Sequence, residues 1–152
     1  MAKRLWTGLL IILALSGVAF LNSQAAVSSH EGKSASVSTS ESIEQLTQQD
    51  RVVSYLREHQ RLPDFYITKK QARAEGWDAS AGNLCSAVPG RAIGGDRFSN
   101  REKRLPQKAK RVWREADINY HCGRRQADRL IYSNDGLIYI TRDHYRTFTK
   151  ME

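Results

Sequence analysis

The stretch Trp113-Arg114-Glu115-Ala116-Asp117-Ile118-Asn119-Tyr120 alternates polar and apolar side chains, a pattern typical of a β-strand. Successive side chains of a strand point to opposite faces, so Glu115 and Asp117 share one face. Ala116 and Ile118 share the other face. The stretch therefore predicts a strand with one side turned to a core and one acidic side.

The residues that follow predict two more strands. Leu130 and Tyr132 fit a second strand, and Leu137-Ile138-Tyr139-Ile140 fits a third. Between them, Asn134-Asp135-Gly136 is a turn signal. The C-terminal half therefore reads as an antiparallel meander.

The residues that precede the first strand predict short helices. One helix face before Leu62-Pro63-Asp64 is formed by Ile43, Leu46, Val53 and Leu56. Thr68-Lys69-Lys70-Gln71 has capping-box spacing and starts a short helix that Gly76 closes. Residues 81–88 predict another turn or two of helix. Together these patterns predict an α+β fold, with short N-terminal helices packed on a C-terminal antiparallel β-sheet.

The N-terminus has the pattern of a secretory signal peptide. Lys3 and Arg4 precede an uncharged apolar run over residues 9–20, and Ser23-Gln24-Ala25 provides small residues for cleavage near Ala25. An uncleaved anchor is the alternative, although the apolar stretch over residues 5–21 is at the short limit for a spanning helix. Cleavage predicts a secreted or periplasmic protein.

The rest of the chain divides into a linker and one domain. Residues 26–42 are rich in Ser and poor in large apolar groups, which predicts a flexible linker. The folded domain is expected over residues 43–152. The chain has 24 Lys and Arg against 16 Asp and Glu, a net charge of +8, and loss of residues 1–25 leaves +6. This charge favours nucleic acid, an anionic membrane or an acidic protein as partner, although a soluble protein that is simply basic has the same composition.

Two cysteines, Cys85 and Cys122, lie beyond the predicted signal peptide. Because export leads to an oxidising compartment, we expect them to form a disulfide rather than remain buried thiols. Closing this loop stabilises the fold by about 4 kcal/mol on the chain-entropy model. His121 beside Cys122 lacks two further ligands at zinc spacing, so no metal and no cofactor is predicted.

Three polar clusters can meet on one surface of the predicted sheet. The first contains Glu115 and Asp117, the second Arg125 and Arg129 on the next predicted strand, and the third Asp143-His144-Tyr145. A carboxylate, an imidazole and fixed cations suit phosphodiester cleavage by the ribose 2′-hydroxyl, which needs a base, an acid and charge stabilisation. Taken separately, each group has a structural alternative. The glutamate can be a salt-bridge partner, the histidine can be structural, and the arginines can form a solvated face of the sheet. The pattern alone favours a nuclease only slightly over a basic polyanion-binding module.

Longer matches carry a family resemblance. The segments are Leu62-Pro63-Asp64, Tyr66-Ile67-Thr68-Lys69, Gly76-Trp77, Gly82-Asn83-Leu84, Ile93-Gly94-Gly95-Asp96, Phe98-Ser99-Asn100-Arg101-Glu102, Leu105-Pro106, Trp113 through Tyr120, Asp143-His144-Tyr145 and Thr147-Phe148-Thr149-Lys150. In this order, with almost no gaps, they resemble the barnase family of microbial guanyl-specific ribonucleases. Chance does not produce matches such as WREADINY and TFTK in register, and the resemblance covers essentially the whole predicted domain.

The resemblance implies roles for the polar residues. Glu115 corresponds to the general base, and His144 to the general acid. The cations that hold the scissile phosphate correspond to Lys69, Arg125 and Arg129, with Arg111 as a lesser contributor. Asp117 corresponds to a buried acid that pairs with both arginines and fixes their geometry, a role close to that of an ordinary structural ion pair.

The resemblance also implies a guanine site. Its loop consists of Phe98, Ser99, Asn100, Arg101 and Glu102, where backbone N–H groups bind guanine O6 and the Glu102 carboxylate accepts from N1–H and the amino group. Tyr145 corresponds to an aromatic wall for the base, although by pattern alone it is a half-buried sheet tyrosine. Lys103 stands where barnase has a glycine, which leaves the strictness of the base preference open. Gly136 replaces a tryptophan, and Arg124 adds a cation.

These observations predict an extracellular, metal-independent endoribonuclease that cleaves single-stranded RNA after guanosine through a 2′,3′-cyclic phosphate. The alternatives are a secreted protein that binds RNA or another polyanion without cleaving it, and the same nuclease acting as an antibacterial toxin. The resemblance implies a monomer with no obligate membrane partner and an acidic, barstar-like inhibitor in the producing cell. Barnase has no cysteines, so the Cys85–Cys122 bridge is particular to this chain, and we expect it to join the helical half to the sheet edge.

Overall fold

The computed structural model describes residues 41–152. The predicted signal peptide and residues 26–40 of the predicted linker lie outside the described residues. The helices of the described part are α1 (Ile43–Leu46), α2 (Gln49–His59), α3 (Lys69–Ala74) and α4 (Leu84–Ala87). Its strands are β1 (Tyr66–Ile67), β2 (Ala92–Phe98), β3 (Trp113–Asp117), β4 (Arg129–Ser133), β5 (Ile138–Thr141) and β6 (Thr149–Lys150). Within this part, no helix combines the length and the apolar character that a membrane span requires. The predicted α+β class is confirmed.

The six strands form one sheet in the order β1-β2-β3-β4-β5-β6. β1 pairs with β2 in parallel, and every other pair is antiparallel. The predicted meander is β3-β4-β5. The sequence did not predict β2, because the adjacent Gly94 and Gly95 are poor strand formers. β1 and β6 have two residues each, too few for a periodic pattern.

The prediction of a single first helix is wrong in one respect. The residues of its predicted apolar face belong to two helices, α1 and α2. Buried Thr47 ends α1, and its hydroxyl donates to the Ile43 carbonyl at 2.8 Å. The Thr47 carbonyl then accepts from the backbone N–H of Asn119 at 2.8 Å. The side chain of Asn119 accepts from the N–H of Gln49, the first residue of α2, at 3.1 Å. The chain breaks the helix here because these groups bind the residues that follow β3.

Glu41 and Ser42, the last two residues of the predicted linker, contact the first two helices. The side chain of Ser42 accepts from the N–H of Gln45, and the Gln45 side chain accepts from the N–H of Ser42, forming a capping box. Glu41 pairs with Arg51 of α2 at 2.6 Å. The predicted capping box of α3, formed by Thr68 and Gln71, is present.

The core lies mainly between the helices and one face of the sheet. Its buried members include Val52, Val53 and Leu56 of α2, Ala72 of α3, Leu84 of α4, and Ala116, Leu130 and Ile140 of the sheet. A second, smaller cluster on the other face contains Leu105, Trp113 and Ile131. This second face also carries the odd-numbered residues of β3, among them Glu115 and Asp117.

The predicted disulfide joins Cys85 and Cys122, with an S–S distance of 2.00 Å. Cys85 lies in α4, so this end is in the helical half as expected. Cys122 lies in the loop of residues 118–128 between β3 and β4, which are interior strands. The expectation of a bond to the sheet edge is therefore wrong, and the bond instead ties α4 to the β3–β4 loop.

Candidate active site

Strand register places the key polar residues on one face of the sheet. Asp117 of β3 lies opposite Arg129 of β4, and Glu115 lies opposite Ile131. On the other side of β3, Glu115 lies opposite Asp96 of β2. Because directly opposed residues of an antiparallel pair point to the same face, three carboxylates and a guanidinium converge on the face away from the helices.

Glu115 is buried between a lysine and a tyrosine. Its side chain is 7 % exposed, and its Oε1 accepts a hydrogen bond from Lys69 Nζ. Its Oε2 accepts from the hydroxyl of Tyr145 at 2.5 Å. Burial raises the pKa of Glu115, but the hydrogen bonds from Lys69 and Tyr145 and the nearby positive charges outweigh it and hold the pKa below its ordinary value. The carboxylate is therefore ionised at neutral pH.

Lys69 reaches this carboxylate from the first position of α3. The backbone N–H of Lys69 donates to Asp96 Oδ2 at 2.8 Å, which fixes the start of α3 beside β2. Gly95 lies in a β-bulge where the pairing shifts between Gly94 and Asp96, and its φ is +91°. The bulge lets Asp96 lie both opposite Glu115 and within reach of the helix.

Asp117 pairs with both predicted phosphate-binding arginines. Its two oxygens accept from Arg125 Nε at 2.6 Å and from Arg125 Nη2 at 2.5 Å, a bidentate pair. Its Oδ1 also lies 3.1 Å from Arg129 Nε, without the angle of a hydrogen bond. Burial lowers the pKa of Arg125, but the pair with Asp117 raises it more, so the guanidinium stays charged.

Arg125 is not on a strand, and this corrects the sequence analysis. It lies in the β3–β4 loop, whereas Arg129 is the first residue of β4. Arg129 is held by its own loop, since its Nη1 donates to the carbonyls of Gln126 at 2.6 Å and Asp128 at 2.7 Å. The two arginines therefore meet through Asp117 and not through strand periodicity.

His144 and Tyr145 lie in the turn after β5. His144 is exposed, and its ring centroid is 4.8 Å from that of Tyr145. Both residues have positive φ, 56° and 71°, a conformation that non-glycine residues rarely adopt. Tyr145 therefore connects His144 to Glu115, because its ring lies beside His144 and its hydroxyl binds Glu115. Among the described residues, no hydrogen bond or ion pair joins His144 to Glu115 directly.

The predicted guanine loop lines a cavity of about 200 Å³ beside this cluster. Its lining residues are Phe98, Ser99, Asn100, Arg101, Glu102, Arg104, Tyr145 and Phe148. The rings of Phe98 and Tyr145 are stacked with centroids 5.4 Å apart. Asn100 holds the loop closed, since its side chain donates to the Leu105 carbonyl and accepts from the Leu105 N–H. Lys103 has a φ of 54°, so it adopts the left-handed backbone for which a glycine is better suited.

Arg111 is bound by the residues on either side of the second core cluster. Its guanidinium binds Asp135 through Nε and Nη2, at 2.8 and 2.7 Å, and donates to the Pro106 carbonyl at 2.8 Å. These bonds tie the loop before β3 to the β4–β5 turn. The structure thus gives Arg111 a structural ion pair, and Arg111 also lines a cavity of about 530 Å³ with Ser99 and Asn100 of the predicted guanine loop.

A family model described as ribonuclease matches residues 47–152, which contain every element from α2 to β6. The chain belongs to the barnase-like family of microbial ribonucleases. The ribonuclease of Heyndrickxia coagulans is 62 % identical to it over 102 residues, which cover 67 % of this chain and 94 % of the relative. The ribonucleases of Bacillus intermedius and Bacillus pumilus are each 63 % identical over 102 residues, which cover 67 % of this chain. The matched region spans 63 % of the length of these two relatives.

Sequence reasoning gave no role to two carboxylates that support the site of this ribonuclease-family chain, Asp96 and Asp143. Asp96 binds the backbone of Lys69, as described above. Asp143 accepts from the N–H groups of Arg146 at 3.0 Å and Thr147 at 2.9 Å, and from the hydroxyls of Thr141 and Thr147. The hydrogen bonds from Thr147 are the main reason that the pKa of Asp143 lies well below its ordinary value. An Asp followed at i+4 by Thr was the available signal for such a turn.

Proposed function

We propose that this chain is an endoribonuclease that cleaves single-stranded RNA after guanosine and needs no metal. The observation that carries the proposal is the buried, ionised Glu115 held by Lys69 and Tyr145, on the same sheet face as the Asp117–Arg125 pair. Family membership supports a ribonuclease activity. A carboxylate base beside fixed cations supplies what attack by a 2′-hydroxyl requires.

In the first step the Glu115 carboxylate takes the proton of the 2′-hydroxyl, and the 2′ oxygen attacks the adjacent phosphorus. The bond from phosphorus to the 5′ oxygen of the next nucleotide breaks, and protonated His144 gives its proton to that oxygen. The products are a 2′,3′-cyclic phosphate and a free 5′-hydroxyl. Lys69, Arg125 and Arg129 stabilise the charge that grows on the phosphoryl oxygens.

The second step reverses the two proton transfers. Neutral His144 takes a proton from water, the resulting hydroxide oxygen attacks phosphorus, and the bond to the 2′ oxygen breaks. Protonated Glu115 returns its proton to the 2′ oxygen, which leaves a 3′-phosphate and restores both groups. No metal takes part, because the cations already neutralise the phosphate.

The cavity beside the cluster supports the guanine preference. The aromatic rings of Phe98, Tyr145 and Phe148 offer faces and edges to a base, and Glu102 offers a carboxylate to guanine N1–H and the amino group. Adenine lacks these donors, so it would give no hydrogen bond to the Glu102 carboxylate, which Arg104 Nε binds at 2.6 Å. Free base edges are required, which favours single-stranded RNA.

Digestion of a defined RNA in excess chelator tests the proposal. We expect full activity, cleavage 3′ of guanosine, and cyclic phosphate ends that later become 3′-phosphates. Binding without cleavage would show instead a basic RNA-holding protein, and loss of activity with chelator would exclude the metal-free step. Mapping the products against an RNA in which guanosine is replaced by inosine or adenosine measures the base preference.

Two further parts of the proposal concern partners and location. We propose secretion or delivery to the periplasm, supported by the sequence pattern of residues 1–25 and by the Cys85–Cys122 bond.

We also propose an acidic, barstar-like inhibitor in the producing cell, since the cations around Glu115 favour rapid association with an acidic surface. Co-purification from cells that express the chain without residues 1–25 tests the inhibitor.

A further inference from the structure

An exposed basic row crosses the sheet on the face opposite Glu115. Arg97 of β2 lies directly opposite Arg114 of β3, and Arg114 lies opposite Tyr132 of β4. Because directly opposed residues point to the same face, these three side chains form one row across three strands. Arg114 precedes Glu115 in β3, so the row lies on the other face from Glu115. Both arginines are exposed, so the helices leave this part of their face open.

The two guanidinium groups of this row have no acidic partner among the described residues. Arg61 nearby pairs with Asp64 at 2.5 Å, whereas within residues 41–152 no carboxylate oxygen lies within 4.0 Å of Arg97 or Arg114. Arg114 only donates from Nη1 to the Gly95 carbonyl, at 2.7 Å. Like charges placed directly opposite each other destabilise a sheet. An anionic ligand that binds both arginines would offset this cost.

A cavity of about 270 Å³ adjoins the row. Its lining includes Arg114, Tyr132, Arg61 and Leu62. Burial raises the pKa of Tyr132, and the charge of Arg114 lowers it in part, so these two side chains are close. The cavity therefore combines positive charge with an aromatic ring and an aliphatic side chain. Proteins bind the phosphates and bases of single-stranded nucleic acid with this combination of groups.

The basic row lies at the same end of the sheet as the proposed guanine cavity. Phe98, which lines that cavity, directly follows Arg97 in β2 and points to the other face. The scissile phosphate is on the 3′ side of the guanosine and lies over Glu115, so the nucleotides on the 5′ side leave the cavity in the opposite direction. There, β2 and β3 are joined by residues 99–112, which contain six Lys and Arg against one Glu. This loop offers the strand a positively charged path round the end of the sheet to the basic row.

We propose that Arg97, Arg114 and Tyr132 form a second RNA-binding site, for the part of a long strand that lies 5′ of the cleaved guanosine. The inference rests on the proposed function. The two guanidinium groups bind phosphodiesters through charge-assisted hydrogen bonds, and the tyrosine ring offers a surface to a base. An anionic membrane also attracts arginines, but a half-buried ring in a cavity suits a strand that enters a groove better than a flat surface. The site increases kcat/KM for long RNA and leaves the chemistry at the scissile bond unchanged.

Kinetics on three RNAs with the full chain test this site. GpU contains only the scissile bond, a second RNA carries eight uridines on the 5′ side of GpU, and a third carries eight uridines on its 3′ side. We expect Arg97→Ala to lower kcat/KM for the 5′-extended RNA about 3-fold, the effect of one exposed charge contact. Arg97→Glu should lower it about 10-fold, since the new carboxylate repels phosphate and also pairs with Arg114. The rates on GpU and on the 3′-extended RNA should stay unchanged in both variants.

The Arg97 variants should keep the fold. Within residues 41–152 the Arg97 side chain makes no hydrogen bond, and a carboxylate opposite Arg114 removes a like-charge pair, so thermal unfolding should occur at the same or a higher temperature. Arg114→Ala is a second variant. Because Arg114 also binds the Gly95 carbonyl, its effect is measured as the ratio of kcat/KM for the 5′-extended RNA to that for GpU, which should fall about 3-fold.

A matched control and a salt titration separate this site from general loss of charge. Arg91 is also exposed, donates to the Asp64 carbonyl at 2.6 Å, and precedes β2 at the far end of that strand from Arg97. Arg91→Ala should leave all three rates unchanged. For the 5′-extended RNA, the slope of log kcat/KM against log salt concentration should become shallower by about 0.7 in Arg97→Ala, as expected for one lost phosphate contact. It should not change in Arg91→Ala.

Other outcomes would overturn the inference. An equal loss on GpU and on the 5′-extended RNA would place the effect of Arg97 at the active site, and a loss confined to the 3′-extended RNA would reverse the direction of the strand. Unchanged RNA rates with weaker binding to phosphatidylglycerol vesicles would make the row a membrane-binding surface. If the unsubstituted chain cleaves none of the three RNAs, the proposed function fails. Binding of the 5′-extended RNA with 2′-deoxyguanosine then still tests the site, and equal affinities of Arg97→Glu and the unsubstituted chain would refute it.

Discussion

The hydroxyl of Tyr145 donates a 2.5 Å hydrogen bond to Oε2 of Glu115. This bond connects the turn after β5 to the middle of β3. The ring of Tyr145 also stacks on Phe98 in the base cavity and lies beside His144. One side chain, Tyr145, therefore contacts the proposed general base Glu115, the proposed general acid His144 and the cavity proposed to bind guanine.

Replacing Tyr145 by Phe should move the acidic limb of the pH–rate profile to higher pH. The tyrosine hydrogen bond helps to lower the pKa of Glu115, so its loss raises that pKa and the carboxylate is protonated at a higher pH. The measurement is kcat/KM on GpU across the acidic range. Tyr139→Phe, in the second core cluster, is the control, and an unmoved limb would contradict the assignment of Glu115 as base.

Replacing Glu115 by Ala should lower the rate of transesterification by about 10²- to 10⁴-fold, the usual contribution of a general base. Glu58→Ala on α2 provides a control, since that side chain is 76 % exposed. Single-turnover cleavage of GpU measures the step. Glu115→Gln keeps the volume of the side chain, so a near-normal rate in both Glu115 variants, with the fold retained, would exclude this residue as the base.

Replacing Asp117 by Ala should destabilise the fold by about 3–5 kcal/mol, because Arg125 and Arg129 would lose their shared anionic partner. The side chains of Asp117 and Arg129 are only 2 % and 4 % exposed, so water cannot replace the lost contact. Asp64→Ala breaks the exposed pair with Arg61 and should cost no more than about 1 kcal/mol. Denaturant unfolding measures the free energy of unfolding of the two variants. Equal losses would show that the buried pair stabilises the fold no more than the exposed pair does.

Replacing Asp143 by Asn should destabilise the chain at neutral pH and have a smaller effect in acid. The folded-state pKa of Asp143 is lowered by its hydrogen bonds, so the carboxylate stabilises the fold above its unfolded-state pKa. That contribution is lost as the pH falls towards the folded-state pKa. The difference in unfolding free energy between the two proteins should therefore shrink on acidification. A constant difference over the same pH range would argue against this linkage.

Reducing the Cys85–Cys122 bond should destabilise the fold by about 4 kcal/mol on the chain-entropy model. Thermal or denaturant unfolding with and without reductant measures the change. A Cys85→Ala/Cys122→Ala double variant should already have the lower stability and should not respond to reductant. A reductant effect on the double variant would mean that the change has another source.

Periodicity and capping predicted the elements whose stability is local. The alternation at Trp113–Tyr120 gave β3, the Asn134-Asp135-Gly136 turn separated β4 from β5, and the capping box at Thr68 started α3. Each of these signals depends on neighbours within a few residues. The same reasoning failed at Thr47, because the bonds that interrupt the helix come from Asn119 and Tyr120, far along the chain.

The site was predictable in its composition and less so in its geometry. Glu115 and Asp117 share a face because strand alternation requires it. Arg125 reaches the same sheet face from the β3–β4 loop, where the bidentate pair with Asp117 holds it. Strand alternation does not predict this position. The resemblance suggested Lys69, but the support from Asp96 depends on a bulge at Gly95 that no local pattern specifies.

Lys69 and Glu115 come from separate layers of the fold, since Lys69 begins α3 directly after the edge strand β1 and Glu115 lies in β3. Lys69 begins a helix that rests on the sheet edge, while Glu115 and Asp117 belong to the central meander. If the helical layer opens away from the meander, the carboxylate loses its lysine and the phosphate cations lose a member. Turnover therefore depends on the docking of α3 against the sheet as well as on the integrity of the sheet.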